Sequence, residues 1–428
     1  MTQWKKVKIG DVCKIVKGTT GIASAETGEY PLVVTAEERK TCSTYQFDCE
    51  AVCIPLVSSS GHGKKSLNNV HYQSGKFALG TILCAVIPNK SDELDARFLH
   101  QYLQFYKDTV LVPLMKGAAN VSLSMRDIAT VEIPLPPIEK QRELSALFVT
   151  LQENQKKLVA ETEKQFEYAK QLRQNILQNA IEGKLTADWR KDHPVIKGDP
   201  DYDAEALFEQ IQKEKTDKKQ KKLPLITEEE KPFDIPEGWK WVRLGEIGLT
   251  QTGSTPSTIE LENFGKDIPF IKPEDITNKG INYQNYSLSL LGAKNSRLAI
   301  KNSILMVCIG GGIGKCYFAN RNVCFNQQIN AITVVSCISC LWLYYVMISP
   351  YFQQKVWNKA MKSSTPIINK NKWETILLPL LSITEQTEVV NKVEHLLAKV
   401  TELENQIQER KTLSEKLAFG IIKENLEG

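Results

Sequence analysis

Three groups of residues have types and spacings that could do chemistry. Gly310-Gly311-Gly312-Ile313-Gly314-Lys315 has the glycine-then-lysine run of a loop that cradles phosphates. Ile309 stands where such a loop needs its first glycine, and Cys316 where a Mg²⁺-binding Ser or Thr is required. The parts for nucleotide hydrolysis are missing. The run reads as a glycine turn between strands, either admitting a DNA backbone closely or serving structure alone. Cys337 and Cys340 make a lone C-x-x-C, and Cys49 and Cys53 are similarly close. Neither pair has the second pair of ligands that zinc needs, so both read as buried thiols. The histidines at 62, 71, 100, 193 and 395 are scattered, with no base–nucleophile pairing among them. No Asn-Pro-Pro-aromatic or Asp-Pro-Pro-aromatic tetrapeptide, of the sort used to methylate a flipped base, is present. The chain reads as a non-enzyme that binds.

Charge says what it binds. The net charge of +4 over 428 residues is uninformative, but its distribution is not. From Ile276 to Trp373, 98 residues contain no Asp or Glu and eleven Lys or Arg. Residues 238–383 carry 15 positive and 7 negative charges, whereas residues 1–140 carry 16 and 14. A one-signed segment among neutral and acidic ones is the footprint expected for a polyanion partner. Amides and hydroxyls interleave with the cations, as in Asn326-Gln327-Gln328 and Ser363-Ser364-Thr365. Such groups can read base edges while Lys and Arg hold phosphates.

The elements that must position these residues repeat. Trp4-Lys5-Lys6-Val7-Lys8-Ile9-Gly10-Asp11-Val12 recurs as Trp239-Lys240-Trp241-Val242-Arg243-Leu244-Gly245-Glu246-Ile247. Gly18 and Thr20 match Gly253 and Thr255; Met115-Lys116 answers Met361-Lys362; Gln141 and Glu143 match Gln386 and Glu388. Trp4 and Trp239, opening each copy within a strand-like alternation, read as core anchors rather than base-stacking rings. The chain is a tandem duplication, each copy a mixed globular segment rich in turn signals followed by a proline-free segment with helical spacing. In the second copy Val389, Val393, Leu396, Val400, Leu403 and Ile407 alternate steps of four and three, resumed at Leu413, Leu417 and Ile421. Leu144, Phe148, Leu151, Leu158, Thr162, Ala169, Leu172 and Ile176 form a looser seam in the first. A helix of some 40 residues is about 60 Å long and cannot bury such a seam alone. Its natural partner is its twin, antiparallel because a globular segment brings the chain back.

The expected class is therefore α+β: a duplicated mixed α/β domain, each copy followed by a long helix, the two helices forming an antiparallel coiled coil. The expected boundaries are 1–140 and 238–383 for the globular domains and 141–183 and 384–428 for the helices. Residues 184–237 are a charged linker, read as a solvated connector with a short helix at Asp203–Lys215. Ala331 to Ser349 is an uncharged run of 19 residues, near the length of a membrane span. It divides into a strand (Ile329–Val335) and a helix (Leu341–Ile348), neither long enough to cross, and its first-copy counterpart is charged. Ten cysteines and no apolar leader at the N-terminus point to a reducing, cytoplasmic setting.

Several segments together resemble one family. The stretch from Gly238 to Ile247 is similar to the opening of a target-recognition domain of type I restriction–modification specificity (S) subunits. So are Pro269-Phe270-Ile271-Lys272-Pro273-Glu274-Asp275-Ile276 and Asn326-Gln327-Gln328-Ile329-Asn330-Ala331-Ile332. Ile133-Pro134-Leu135-Pro136-Pro137-Ile138-Glu139-Lys140-Gln141 resembles the start of that family's spacer helix, and Gly183-Lys184-Leu185-Thr186-Ala187-Asp188-Trp189-Arg190 its exit. The second copy departs at Leu380-Leu381-Ser382-Ile383, where the first has Leu-Pro-Pro-Ile.

The resemblance implies that each globular domain reads one half of a bipartite site in double-stranded DNA, with the helices setting the unread spacing. It implies two methyltransferase (M) subunits as partners and restriction or motor (R) subunits reached through them, with no membrane involved. S-adenosylmethionine is then expected on the methyltransferase, ATP and Mg on the motor subunit, and no cofactor, metal or catalytic residue on this chain. The alternative is a standalone DNA-binding protein or a recognition subunit of another defence complex; a nuclease or methyltransferase fused to recognition domains is disfavoured by the absent motifs. Candidate DNA contacts, taken from polar loops with Gly or Ser neighbours, are Ser59, Ser60, His62, Lys64, Lys65, Lys116 and Asn120 in the first domain. In the second they are Lys272, Lys294, Arg297, Lys315, Gln327, Lys362, Ser363, Ser364, Asn369 and Lys370.

Overall fold

A computed structural model describes residues 4–60, 63–215, 223–361 and 365–427. The chain forms two compact units, Met1–Glu163 with Gln408–Gly428, and Lys164–Ile407.

The first unit contains β1 (Lys6–Lys8), α1 (Ile9–Val12), β2 (Cys13–Lys17), β3 (Tyr30–Val33), β4 (Lys40–Cys42), β5 (Phe47–Asp48), β6 (Ala51–Pro55), β7 (His71–Gln73), β8 (Lys76–Leu79) and β9 (Leu83–Pro88). Then come α2 (Ala96–Val110), α3 (Met125–Ala129), β10 (Glu132–Pro134) and the start of α4 (Ile138–Ile181). One sheet has the order β2-β9-β6-β7 and a second β4-β3-β8-β5, while β1 pairs with β10. The period-2 geometry of a strand explains why β6 is buried along its whole length. Val52 and Ile54 face a core shared with Phe98, Leu99 and Leu103 of α2, whereas Ala51 and Cys53 face Phe47 and Phe77 of the second sheet. The central sheet is thus sealed by a helix on one side and a sheet on the other.

The second unit repeats this plan. After α5 (Ala187–Asp192) and α6 (Ala204–Glu214) come β11 (Lys240–Arg243), β12 (Gly248–Thr252), β13 (Phe264–Ile271), β14 (Ile276–Thr277), β15 (Gly280–Ile281) and β16 (Ser287–Leu288). They are followed by α7 (Leu290–Lys294), β17 (Leu298–Ala299), β18 (Ile304–Val307), β19 (Cys316–Phe318), β20 (Val323–Phe325) and β21 (Ile329–Val334). The unit closes with α8 (Cys340–Ile348), α9 (Pro350–Lys359), α10 (Lys370–Glu374), β22 (Leu377–Leu380) and α11 (Ile383–Glu427), whose last residues belong to the first unit. The sheet orders β12-β21-β18-β19 and β16-β13-β20-β17, with β11 on β22, reproduce the first unit strand for strand. The hairpin β14–β15 is additional.

The uncharged run folds as β21 and α8, and among the described residues no helix is long and apolar enough to cross a membrane. Trp239 is buried as expected of a core anchor, its indole N–H donating to Glu385 at 2.7 Å. The long helices pair antiparallel where the second unit holds both. Ala169, Ile176 and Leu177 of α4 share a core with Val389, Val393 and Val400 of α11, and Arg173 forks onto the Glu404 carboxylate at 3.1 and 2.8 Å. In the first unit Leu144 and Phe148 share a core with Leu426.

Two expectations need correction. Leu172, Leu403, Leu413 and Leu417 belong to the written seams yet are exposed. A helix turns every 3.6 residues, so a seam written on steps of four and three rotates off its partner unless the helices supercoil. The segment expected as a solvated connector is also partly core: Ala204, Leu207 and Ile211 of α6 are fully buried. Their spacing is one helical stripe, masked in the sequence by the charges on either side.

Candidate nucleic-acid interface

The two copies build their loop faces in the same way. In the first, the segment after β6 meets the segment after α2: Val57 bridges Ser122, Lys116 bridges the same Ser122, and Ser58 N–H donates to Val121 O at 3.0 Å. In the second, Ile309 and Met361 both bridge Ile367. The bridges therefore align Lys116 with Met361, one position short of the Met-Lys match in the sequence. Net insertion between the copies shifts the register, and a dipeptide is too short to hold it.

Below these loops a repeated glycine sets the sheet spacing. A Cβ on Gly18 would lie 2.2 Å from Gly80 O, and one on Gly253 would lie 2.1 Å from Asn326 O. The same close approach carries the same bonds, Gly18 N–H to Leu83 O at 2.9 Å and Gly253 N–H to Ile329 O at 3.0 Å. Only a residue without a side chain lets the two backbones meet here.

The first-copy candidates converge. Ser59, Ser60, Lys64 and Lys65 lie exposed on the loop between β6 and β7, and Lys116 and Asn120 on the segment that bridges it. The loop is tied internally: Ser58 Oγ donates to Lys64 O at 2.6 Å, and Ser60 Oγ and Ser66 Oγ are 2.6 Å apart. Lys116 is already engaged by Asp127 at 3.2 Å. The Ser124 hydroxyl and then Lys116 hold that carboxyl below the usual carboxylate range. His62, Lys362, Ser363 and Ser364 lie outside the described residues.

The second-copy candidates are more dispersed. Lys315 is exposed at the end of the glycine loop between β18 and β19, and Lys294 and Arg297 are exposed around the end of α7. Gln327 accepts from Thr255 Oγ1 at 2.7 Å. Lys272 lies 3.3 Å over the Tyr286 ring. Asn369 caps α10, its side chain accepting from Lys372 N–H at 2.9 Å, as Ser124 caps α3. Lys370 is paired with Glu374 at 2.7 Å. Among the described cations between Ile276 and Trp373, Lys370 is the one that makes an ion pair, so the field of this segment is largely uncompensated. Asp275, just outside it, is buried and consumed by Lys272 N–H at 2.8 Å and Asn285 Nδ2 at 2.6 Å. Tyr283, beneath Arg321 at 4.7 Å, and Tyr286 were not singled out from sequence. Two tyrosines three positions apart in a polar stretch were the available signal.

Among the described residues no group of three or more His, Cys, Asp or Glu side chains could hold a metal ion. Seven of the ten thiols are buried, but Cys49, Cys337 and Cys340 are half-buried, so neither close pair is wholly in the core as expected; burial nonetheless pushes Cys316 and Cys340 up to about 12.

Each unit is a sheet-and-loop domain tied to a long helix, and the second contains a stretch without acids, Ile276 to Trp373, whose field suits a polyanion. The family model for the type I restriction modification DNA specificity domain matches residues 1–167 and 236–410, and the chain belongs to that family. It is similar to the EcoDI specificity subunit of Escherichia coli, 23% identical over 94% of this chain and 83% of that one. The EcoAI specificity subunit of the same organism is 29% identical over 53% of this chain. The chain spans 39% of that relative's length in the match. Among solved structures, one described as showing assembly and conformational transition of the type I R-M system covers 100% of this chain and 98% of its own, at 17% identity and TM-score 0.61. The HsdS subunit from Thermoanaerobacter tengcongensis covers 100% and 97%, at 17% identity and TM-score 0.53. Both share the fold.

Proposed function

We propose that this chain is the sequence-reading, non-catalytic subunit of a type I restriction–modification complex. The observation that carries the reading is that one sheet-and-loop architecture is built twice, with a different set of exposed polar residues on each copy. Residues 1–140 and 238–383 act as recognition domains, 141–183 and 384–428 as spacer helices, and 184–237 as the connection between them. Each domain reads one half of a bipartite duplex site through the candidate residues named above. A stiff spacer matters because one base pair moves a half-site by about 3.4 Å and about a tenth of a turn. The internal duplication gives the chain approximate twofold character, which lets it dock two copies of a methyltransferase subunit, one per half-site. Restriction subunits join through these; S-adenosylmethionine belongs to the methyltransferase, ATP and Mg to the motor.

Single-molecule methylome sequencing of cells expressing this chain with its methyltransferase partner tests the reading. Methylation at one bipartite motif, lost when this chain is deleted, is the expected result. Methylation that does not depend on the chain would refute it.

A further inference from the structure

The glycine loop between β18 and β19 lacks the parts of a nucleotide site, yet two of its glycines are not required by the fold. Gly310 and Gly314 have φ of 91° and 89°, a conformation that side chains disfavour. Gly314 would also drive a Cβ to 2.2 Å from Gln353 Oε1. Gly311 and Gly312 do not have positive φ. A Cβ at Gly311 meets nothing within 4 Å, and one at Gly312 makes ordinary contact at 3.6 Å. Among the described residues the space over Gly311 is open, and that over Gly312 is bordered by the Lys315 and Val307 side chains.

The polar groups of the loop indicate what it could bind. The loop is held rigidly: Ile313 N–H donates to Gly310 O at 3.1 Å, Lys315 N–H to Gly312 O at 3.1 Å, and Gly310 N–H to Pro366 O at 3.0 Å. Ile313 is buried and anchors the turn. The N–H groups of Gly311 and Gly312, in contrast, have no acceptor among the described residues. Lys315, exposed at the loop's end, has no ion-pair partner among them, in a segment without acids. Two open peptide donors, with the Lys315 side chain running alongside Gly312, suit a compact oxyanion.

We propose that Gly311, Gly312 and Lys315 clamp one backbone phosphate of the DNA duplex. The proposal rests on the DNA-reading function above and names a contact within it. Peptide donors carry no base information, so the clamp sets the register of the second domain on its half-site.

The test uses the full chain in complex with its methyltransferase partner and a duplex bearing the motif that methylome sequencing defines. Gly311→Val should unfold at the wild-type temperature and bind the duplex at least ten-fold more weakly, with Gly311→Ala between. Lys315→Gln should flatten the salt dependence by about one unit of slope. Scanning the duplex with single methylphosphonates should find one position that weakens the wild type and leaves Gly311→Val and Lys315→Gln unaffected. Wild-type binding together with an indifferent Gly311→Val, or no such position in the scan, overturns the clamp alone. A wild-type complex that binds no duplex overturns the DNA-reading function and the clamp with it.

Discussion

Gln386, in the first turn of α11, accepts the backbone N–H of Ser339 on its side-chain oxygen at 2.9 Å, latching the long helix to the start of α8. Its amide nitrogen donates to Leu381 O at 3.0 Å. Gln141 makes the same latch in the first copy, accepting from Asp95 N–H at 2.9 Å and donating to Pro136 O at 2.8 Å. Both glutamines are fully buried, so each joins a globular segment to its helix at a fixed angle. Gln386→Leu, which keeps the volume and leaves the Ser339 N–H unpaired, should cost about 2 kcal/mol. Urea unfolding monitored by tryptophan fluorescence checks this; an unchanged midpoint would show the latch to be dispensable.

Gly18→Ala and Gly253→Ala should each be more damaging than their size suggests. The added methyl meets backbone oxygen, which cannot rotate away as a side chain can. A loss of about 3 kcal/mol is expected for each, read as a fall in melting temperature. Gly75→Ala is a poor control because its φ is 73°; Gly311→Ala, with open space and no positive φ, should leave the melting temperature unchanged.

The Arg190–Glu385 pair secures the stretch after α4. Glu385 is buried and accepts from Arg190 at 2.6 Å, Thr186 Oγ1 at 2.6 Å and the Trp239 indole at 2.7 Å. Arg190→Ala strands the buried carboxylate with two neutral donors and should cost about 3 kcal/mol. The double variant Arg190→Met with Glu385→Leu should recover part of that loss, because it removes the stranded charge. Thermal unfolding of the single and double variants separates these outcomes.

Acid should destabilise the first unit through His71. Burial, then the Arg39 and His100 charges, push its imidazole down to about 4. Arg39 Nη1 lies 3.2 Å from His71 Nδ1 and holds the neutral ring. The unfolded chain takes up a proton near pH 6.5 and the folded one only near 4, so stability is full above 6.5 and falls as pH drops between them. The loss at pH 5 is about 2 kcal/mol. His71→Gln should abolish that part of the pH dependence in urea titrations at pH 7 and 5; a slope equal to wild type would exclude His71.

Removing a competing acid should strengthen DNA binding. Asp127→Asn frees Lys116 from its ion pair. Affinity for duplexes of any sequence should rise a few-fold at low salt and converge with wild type at high salt. Equal affinity at low salt would show that Lys116 lies away from the duplex.

Much of this was legible in one dimension because duplication wrote it twice. Gly18 with Gly253, and Gln141 with Gln386, stand out as matched pairs before any fold is known. Their roles do not, because Gly253 matters only when Asn326, far along the chain, folds against it. The helix α6 was visible as a pattern, but its burial was not; a stripe of Ala204, Leu207 and Ile211 is equally consistent with an exposed helix until a core is supplied.

Sequence alone determined the tandem plan, the strand-then-long-helix order of each copy and the acid-free segment from Ile276 to Trp373, since periodicity and charge are properties of the chain itself. Tertiary structure alone decided which seam positions are buried, that Lys116 aligns with Met361, and that Gly311 stands under open space with Lys315 alongside Gly312. These depend on side chains and backbones meeting across long stretches of chain, and the packing that brings them together is not written in any one segment.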